Sequence, residues 1–180
     1  MRRVVNQEQE TTSCPSHKQE PKQTSPQMSN DSQVAQAAFV HYFESFHRHV
    51  LDLANSVSEE QFFAKPFPYG NSIGNLVLHL SGNLNYYIGT QIENTGYVRH
   101  RDLEFAVVEN GNRTEVLSEF SKAVSMVTQS LASQREGDWS KEYSATGVDD
   151  VHDRFSIYLR CCVHFHHHIG QMIYLVKQWN

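Results

Sequence analysis

Four histidines fall within the five residues His164-Phe165-His166-His167-His168, and the chain holds 11 in 180 residues. Imidazole is the commonest metal ligand among side chains and titrates near neutral pH. On a helix, successive residues turn by about 100°, so this run cannot present all its rings to one point. His164 and His168 lie about 40° apart on the wheel and can converge, whereas His166 points almost opposite to His168 and His167 turns into the polar sector. The apolar arc of the same segment runs through Ile157, Tyr158, Cys161, Phe165, Ile169, Met172, Ile173 and Val176. His164 and His168 sit at one margin of that arc, in line with Gln171. An earlier helical segment carries His79 at the edge of its own apolar arc, beside Asn75, Asn83 and Tyr86. If the two segments pack together, three imidazoles meet.

Three neutral imidazoles suit Zn²⁺, Ni²⁺, Fe²⁺ or Cu²⁺, and a fourth position left to water or substrate is the pattern of a catalytic site. His-x3-His is not the metalloprotease motif, because Phe165 follows His164 where that motif has Glu. Cys161, one turn before His164, reads either as a small core residue or as a further ligand. A fourth protein ligand, Cys161 or His167, would close the site and favour a structural or storage role. Taken alone, His79 reads as a core-edge histidine bonded to backbone, and His164 with His168 as a solvated stripe. Asn83 and Gln171 are candidates to orient an imidazole or a bound substrate. Spacing supports no Ser-His-Asp arrangement, and no Gly-rich phosphate loop is present.

The elements that must position these rings are helical. Residues 1–32 are Gln, Glu, Ser, Thr, Lys and Pro with isolated apolar residues, too polar to offset the entropy of ordering, and read as a disordered tail containing Cys14 and His17. From residue 33 to 180 the pattern is that of one domain. Ala35, Phe39, Phe43, Phe46, Val50, Leu53 and Val57 recur at helical spacing, with His41 and His49 on the far side. Ser58 to Gln61 reads as a capping box, and Lys65 to Gly70 as a loop broken by two prolines. Asn71-Ser72 caps a second long helix, Ile73 to about Asn94. A polar connection through Arg99 and Glu104 follows, then a helix capped by Asn112 and, after a loop, a fourth from about Val151 to Lys177 with Asp149-Asp150 ahead of it. Four amphipathic helices without a strand make an all-α, four-helix bundle, and the long connections allow crossovers.

Composition narrows the function. With 15 Lys+Arg against 20 Asp+Glu the formal charge is −5, and no basic run exists, which argues against a nucleic-acid partner. No apolar run nears the roughly 20 residues of a membrane helix, and Arg2-Arg3 is not followed by the apolar stretch of an export signal. Three cysteines, two of them adjacent, make no disulfide framework, so a reducing cytoplasm is the expected compartment.

The segments Asn71-Ser72-Ile73-Gly74-Asn75-Leu76-Val77-Leu78-His79-Leu80-Ser81-Gly82-Asn83, His164-x3-His168-Ile169-Gly170-Gln171 and Arg99-x-Arg101-Asp102-x-Glu104-Phe105 together resemble the DinB-like (YfiT-like) superfamily of metalloenzymes, in a bacterial subgroup of unknown function. The resemblance runs from about residue 33 to the end. It implies a four-helix bundle with crossover connections and a divalent metal, Zn or Ni ahead of Fe or Mn, held at the positions of His79, His164 and His168. Proteins similar to this one include S-transferases that activate a low-molecular-weight thiol against a small-molecule electrophile, and dimers are common, so a homodimer is an expectation. On this reading Tyr86, Cys161 and Met172 line the substrate pocket. The alternatives are a hydrolase using metal-bound water and a metal-binding bundle without turnover.

Overall fold

The computed structural model of the chain describes residues 28–106 and 111–179. Cys14, His17 and most of the segment read as a tail lie outside the described residues. Helix α1 (Asn30–Asn55) starts within that segment, because the Ser29 hydroxyl caps it by accepting from the Ser32 amide. The Ser29 amide and hydroxyl also donate to Glu136. Helix α1 thus begins a few residues before the start expected from apolar spacing, since capping is done by polar residues.

After α1 the chain forms α2 (Glu59–Phe63), opened by the expected Ser58/Gln61 capping box, and then α3 (Ile73–Leu84), opened by a Ser72/Asn75 capping box. The expected second helix does not continue regularly. From Asn85 to Thr90 it widens into a π-helical turn before ending. A one-turn helix α4 (Arg101–Glu104) sits in the polar connection, and α5 (Arg113–Ser133) follows, with Asn112 accepting from the Glu115 amide as its cap. Helix α6 (Arg154–Trp179) starts later than expected. Asp153, not Asp149 or Asp150, caps it, accepting from the Ser156 amide and hydroxyl at 2.7 and 2.9 Å. Among the described residues there is no strand, only an isolated bridge pairing Glu142 with Asp153.

The four long helices form a ring in which α1 and α3 each pack on α5 and α6. Helices consecutive in the chain are therefore not all neighbours: α1 to α3 and α5 to α6 are diagonal passages, and only α3 to α5 joins adjacent helices. The expected crossovers are present. Inside the ring, Phe43, Phe62, Phe120, Ile157, Tyr158 and Phe165 are fully buried. Their contacts are aromatic as well as aliphatic, with Phe120 and Phe165 meeting edge to face at 5.5 Å.

Helix α3 is buried almost all round, including Asn75, His79, Gly82 and Asn83. A one-faced helix was expected. The difference arises because the segment from Arg99 to Phe105 folds back over the polar side of α3, so that side faces protein as well.

Candidate metal centre

The centre is built from the α3 side first. His79 Nδ1 lies 2.8 Å from Glu104 Oε2, and both side chains are buried. Arg99 grips the same carboxylate with two bonds, Nε to Oε1 at 2.7 Å and Nη2 to Oε2 at 2.8 Å. Burial pushes the Glu104 carboxyl up, but the hydrogen bonds from Arg99 and His79 more than offset it and hold the group below its usual range. Burial likewise works against the Arg99 cation, and the Glu104 bond and charge outweigh it. An ionised carboxylate can only accept, so the proton of His79 belongs on Nδ1 and its lone pair on Nε2. The 3.3 Å approach of Arg99 Nη2 to Nδ1 is the longer of the two contacts and is secondary.

Glu104 is itself held in place. The Asn75 amide donates to the carbonyls of Glu104 and Ala106 at 3.0 and 2.8 Å, while Asn75 Oδ1 completes the cap of α3. Lys65 Nζ donates to the Phe105 carbonyl, and the Phe105 ring lies 4.8 Å from that of His79. Gly82 makes the approach sterically feasible, because a Cβ at that position would overlap the Glu104 carboxylate.

Helix α6 supplies the other two rings. His168 Nδ1, as the Nδ1–H tautomer, donates to Gln171 Oε1 at 2.8 Å, and the amide nitrogen of Gln171 lies 3.1 Å from His167 Nε2. His168 Nε2 is then a buried lone pair with no hydrogen-bond partner. His164 Nε2 stands 3.0 Å from His79 Nε2. One nitrogen from each of His79, His164 and His168 falls within 4.8 Å of the others.

Burial, with the neighbouring imidazoles, lowers His164 to about 3, and burial lowers His168 to about 4, so both are neutral at pH 7. These three rings fit a divalent cation. Ligand nitrogens around a tetrahedral Zn²⁺ with bonds of 2.0–2.1 Å are about 3.3 Å apart, close to the 3.0 Å pair here, and the orphaned His168 nitrogen is otherwise without an occupation. Two of the rings also have the acceptor on the far nitrogen that a ligating histidine ordinarily keeps.

A family model described as "Protein of unknown function (DUF1572)" matches residues 32–180. The chain belongs to this family. DUF1572 proteins are grouped with the DinB/YfiT-like proteins, in keeping with the bundle and the histidine triad. No curated protein matches the chain.

In this DUF1572 chain His79 and His164 open on one side into a cavity of about 800 Å³, with His168 buried behind them. His79, His164, Asn83 and Tyr86 contribute to its wall, with Tyr87, Tyr97, Arg99, Arg101 and Arg160 among the others. Cys161 and Met172, expected in that wall, are instead core residues, 1 % and 0 % exposed. Burial pushes the Cys161 thiol up to about 12, so it is a neutral hydrophobe. Among the described residues the ligand cluster consists of histidines alone. His167 is exposed and bonded to Gln171, and His166 stacks on Phe46 at 5.1 Å, on the other side of α6. Glu104 and Arg99 were not recognised from the residues as parts of the site. The signals for them were a glycine on a buried helix face and the charged stretch Arg99 to Phe105.

Proposed function

We propose that this DUF1572 protein is a metal-dependent transferase that activates a low-molecular-weight thiol. The observation behind the reading is the arrangement of the triad: three imidazole nitrogens converge at the wall of a cavity lined by His79 and His164, with no fourth histidine, cysteine or carboxylate in the set among the described residues. Such a set would leave a coordination position facing the cavity, as catalytic sites do and structural sites do not. A divalent metal held by His79, His164 and His168 would supply a Lewis acid that lowers the pKa of a thiol reaching it from the cavity.

The chain's own residues account for the rest. Glu104 and Gln171 keep the lone pairs of His79 and His168 aimed inward. Arg99 keeps Glu104 ionised, so that it remains an acceptor. Asn83 and the tyrosines give the cavity hydrogen-bonding groups that can orient an electrophile. In the reaction the thiol releases its proton to solvent, the sulfur electron pair forms the new C–S bond, and the leaving group departs with the electrons of the bond it breaks. The resemblance to DinB-like S-transferases supports the choice of a thiol over water as the nucleophile.

The test combines metal and substrate. Protein stripped of metal and dialysed against Zn²⁺, Ni²⁺ or Co²⁺ is expected to retain about one ion per chain, and His168→Ala to retain none. Incubated with 2-mercaptoethanol and 1-chloro-2,4-dinitrobenzene, the loaded protein should form the thioether faster than the stripped one. Thioether formation independent of metal, or loaded protein whose Co²⁺ spectrum no thiol alters, would overturn the reading.

A further inference from the structure

Three of the chain's nine arginines line the cavity beside the triad, and no Asp or Glu is among the residues lining it, although the chain as a whole carries −5. Arg99 is occupied by Glu104. The other two are not neutralised in that way. Arg160 has as its nearest carboxylate Asp150, an exposed side chain at 3.9 Å, a distance at which solvent screens most of the attraction. The Arg101 side chain has no hydrogen bond or ion pair to another described residue and lies over the Phe105 ring at 5.5 Å. Arg160 lies over the Tyr87 ring at 5.9 Å, with Arg99 also against that ring at 5.7 Å. Stacking fixes a guanidinium plane while leaving its N–H edges available, which is how a fork is prepared for a carboxylate or a phosphate. Arg160 precedes His164 by four residues on α6, so the two share a face with their backbones about 6 Å apart along the axis.

We infer that the cavity selects small molecules bearing an oxyanion, a carboxylate or a phosphate, which Arg160 and Arg101 bind while the reacting end of the molecule lies at His79 and His164. The inference rests on the reading of the triad as a metal-dependent site and names the class of substrate it takes. Without an anion, two guanidiniums share a concave surface with no acid in its lining. An oxyanion about one helical turn from the reacting atom satisfies both of them. Arg160 and Arg101 are thus substrate-binding residues, distinct from Arg99, which acts on Glu104.

The test is a titration of Co²⁺-loaded protein with thiols of one size and different charge, 3-mercaptopropionate, 2-mercaptoethyl phosphate, 2-mercaptoethanol and cysteamine, read by Co²⁺ absorption at constant ionic strength. At least one anionic thiol should bind tenfold or more tightly than 2-mercaptoethanol, cysteamine should bind weakest, and the stronger of the two anions identifies the group recognised. Arg160→Gln and Arg101→Gln should each shrink the anionic preference at least threefold while leaving the affinity for 2-mercaptoethanol and the metal content unchanged. Arg160→Lys should restore part of it. Equal affinities for all four thiols, or an anionic preference untouched in both Gln variants, would overturn the inference. If no thiol alters the Co²⁺ spectrum, but propionate or ethyl phosphate raises the melting temperature of the wild type and not of Arg160→Gln, the thiol reading falls and anion recognition stands. If neither anion does so, both fall.

Discussion

The carboxylate of Glu104 lies 2.8 Å from Nδ1 of His79, with both side chains 6 % exposed. It is the central contact of the site, because it fixes which nitrogen of His79 holds the proton and which faces His164 and His168. An outer carboxylate of this kind commonly contributes 10- to 100-fold to metal affinity. Glu104→Gln should therefore weaken Zn²⁺ binding by a factor on the order of 10–100, measured by competition with a chromophoric chelator. An unchanged affinity would mean that Glu104 serves only the fold.

The same carboxylate is also half of a buried ion pair. Removing one partner of such a pair costs about 3–5 kcal/mol, whereas replacing both with apolar residues is often neutral. Arg99→Met and Glu104→Leu should each lower stability strongly in the metal-free protein, and the double variant should be more stable than either. Urea denaturation of the four proteins gives the cycle, and additive losses would contradict a direct Arg99–Glu104 coupling.

Gly82 offers a test in which two effects have opposite signs. Gly to Ala within a helix ordinarily stabilises by about 1 kcal/mol. At Gly82 the added methyl would overlap the Glu104 carboxylate, and overpacking of this kind costs about 1–3 kcal/mol. Gly82→Ala should thus lower the melting temperature and weaken metal binding together. Gly170, also on a helix, has no atom within contact distance of an added Cβ, so Gly170→Ala should stabilise and leave metal binding intact.

The helices and the wheel positions of His79, His164 and His168 were legible in the sequence because they follow from local periodicity, whereas the meeting of the three rings was implied by the family resemblance. A turn of about 100° per residue separates His168 from His166, and the structure places the first against His79 and the second against Phe46. Capping at Ser58, Ser72 and Asn112 was likewise local. What could not be read depends on contacts distant in the chain. Glu104 stands on a one-turn helix 25 residues beyond His79, and nothing in its immediate surroundings says that it folds back over α3. The π-helical turn from Asn85 to Thr90 was invisible because a wheel drawn at constant angle has no place for a widened turn, yet it carries Tyr86 and Tyr87, both in the cavity wall. Cys161 and Met172, expected in that wall, lie on the core arc of α6 and are buried in the core, and the wheel does not distinguish a buried core from a cavity.

His168 and His166 supply a comparison on one helix. His168→Ala removes a buried ring whose Nε2 has no hydrogen-bond partner, and should abolish tight metal binding. His166→Ala removes an exposed ring stacked on Phe46 and should leave the metal content near one ion per chain. Gln171→Leu should fall between them, because it leaves the ring of His168 in place but takes away the acceptor for Nδ1. Elemental analysis of the three dialysed variants separates the cases, and equal losses would mean that the two faces of α6 are wrongly assigned.

The metal-free protein should lose stability in mild acid. His164 and His168 have folded values of about 3 and about 4, below the ordinary 6.5, with burial as the leading cause in each, and burial lowers His47 in the same direction. As pH falls through 6.5 the unfolded chain takes up protons that the folded chain refuses, so the unfolded state binds more protons and stability falls with pH. Above 6.5 both states are neutral and these groups add no slope. The decline continues until the folded imidazoles themselves protonate, at about 4 for His168 and about 3 for His164. The urea midpoint should therefore be flat from pH 8 to 7 and drop between pH 6.5 and 5, and replacing both His164 and His168 by Gln should reduce that drop. Saturating Zn²⁺ should raise the midpoint at pH 7 and lose its effect toward pH 5, because metal competes with protons for the same lone pairs. A midpoint unchanged between pH 7 and 5 in the metal-free wild type would show that the two rings are not buried as neutral groups.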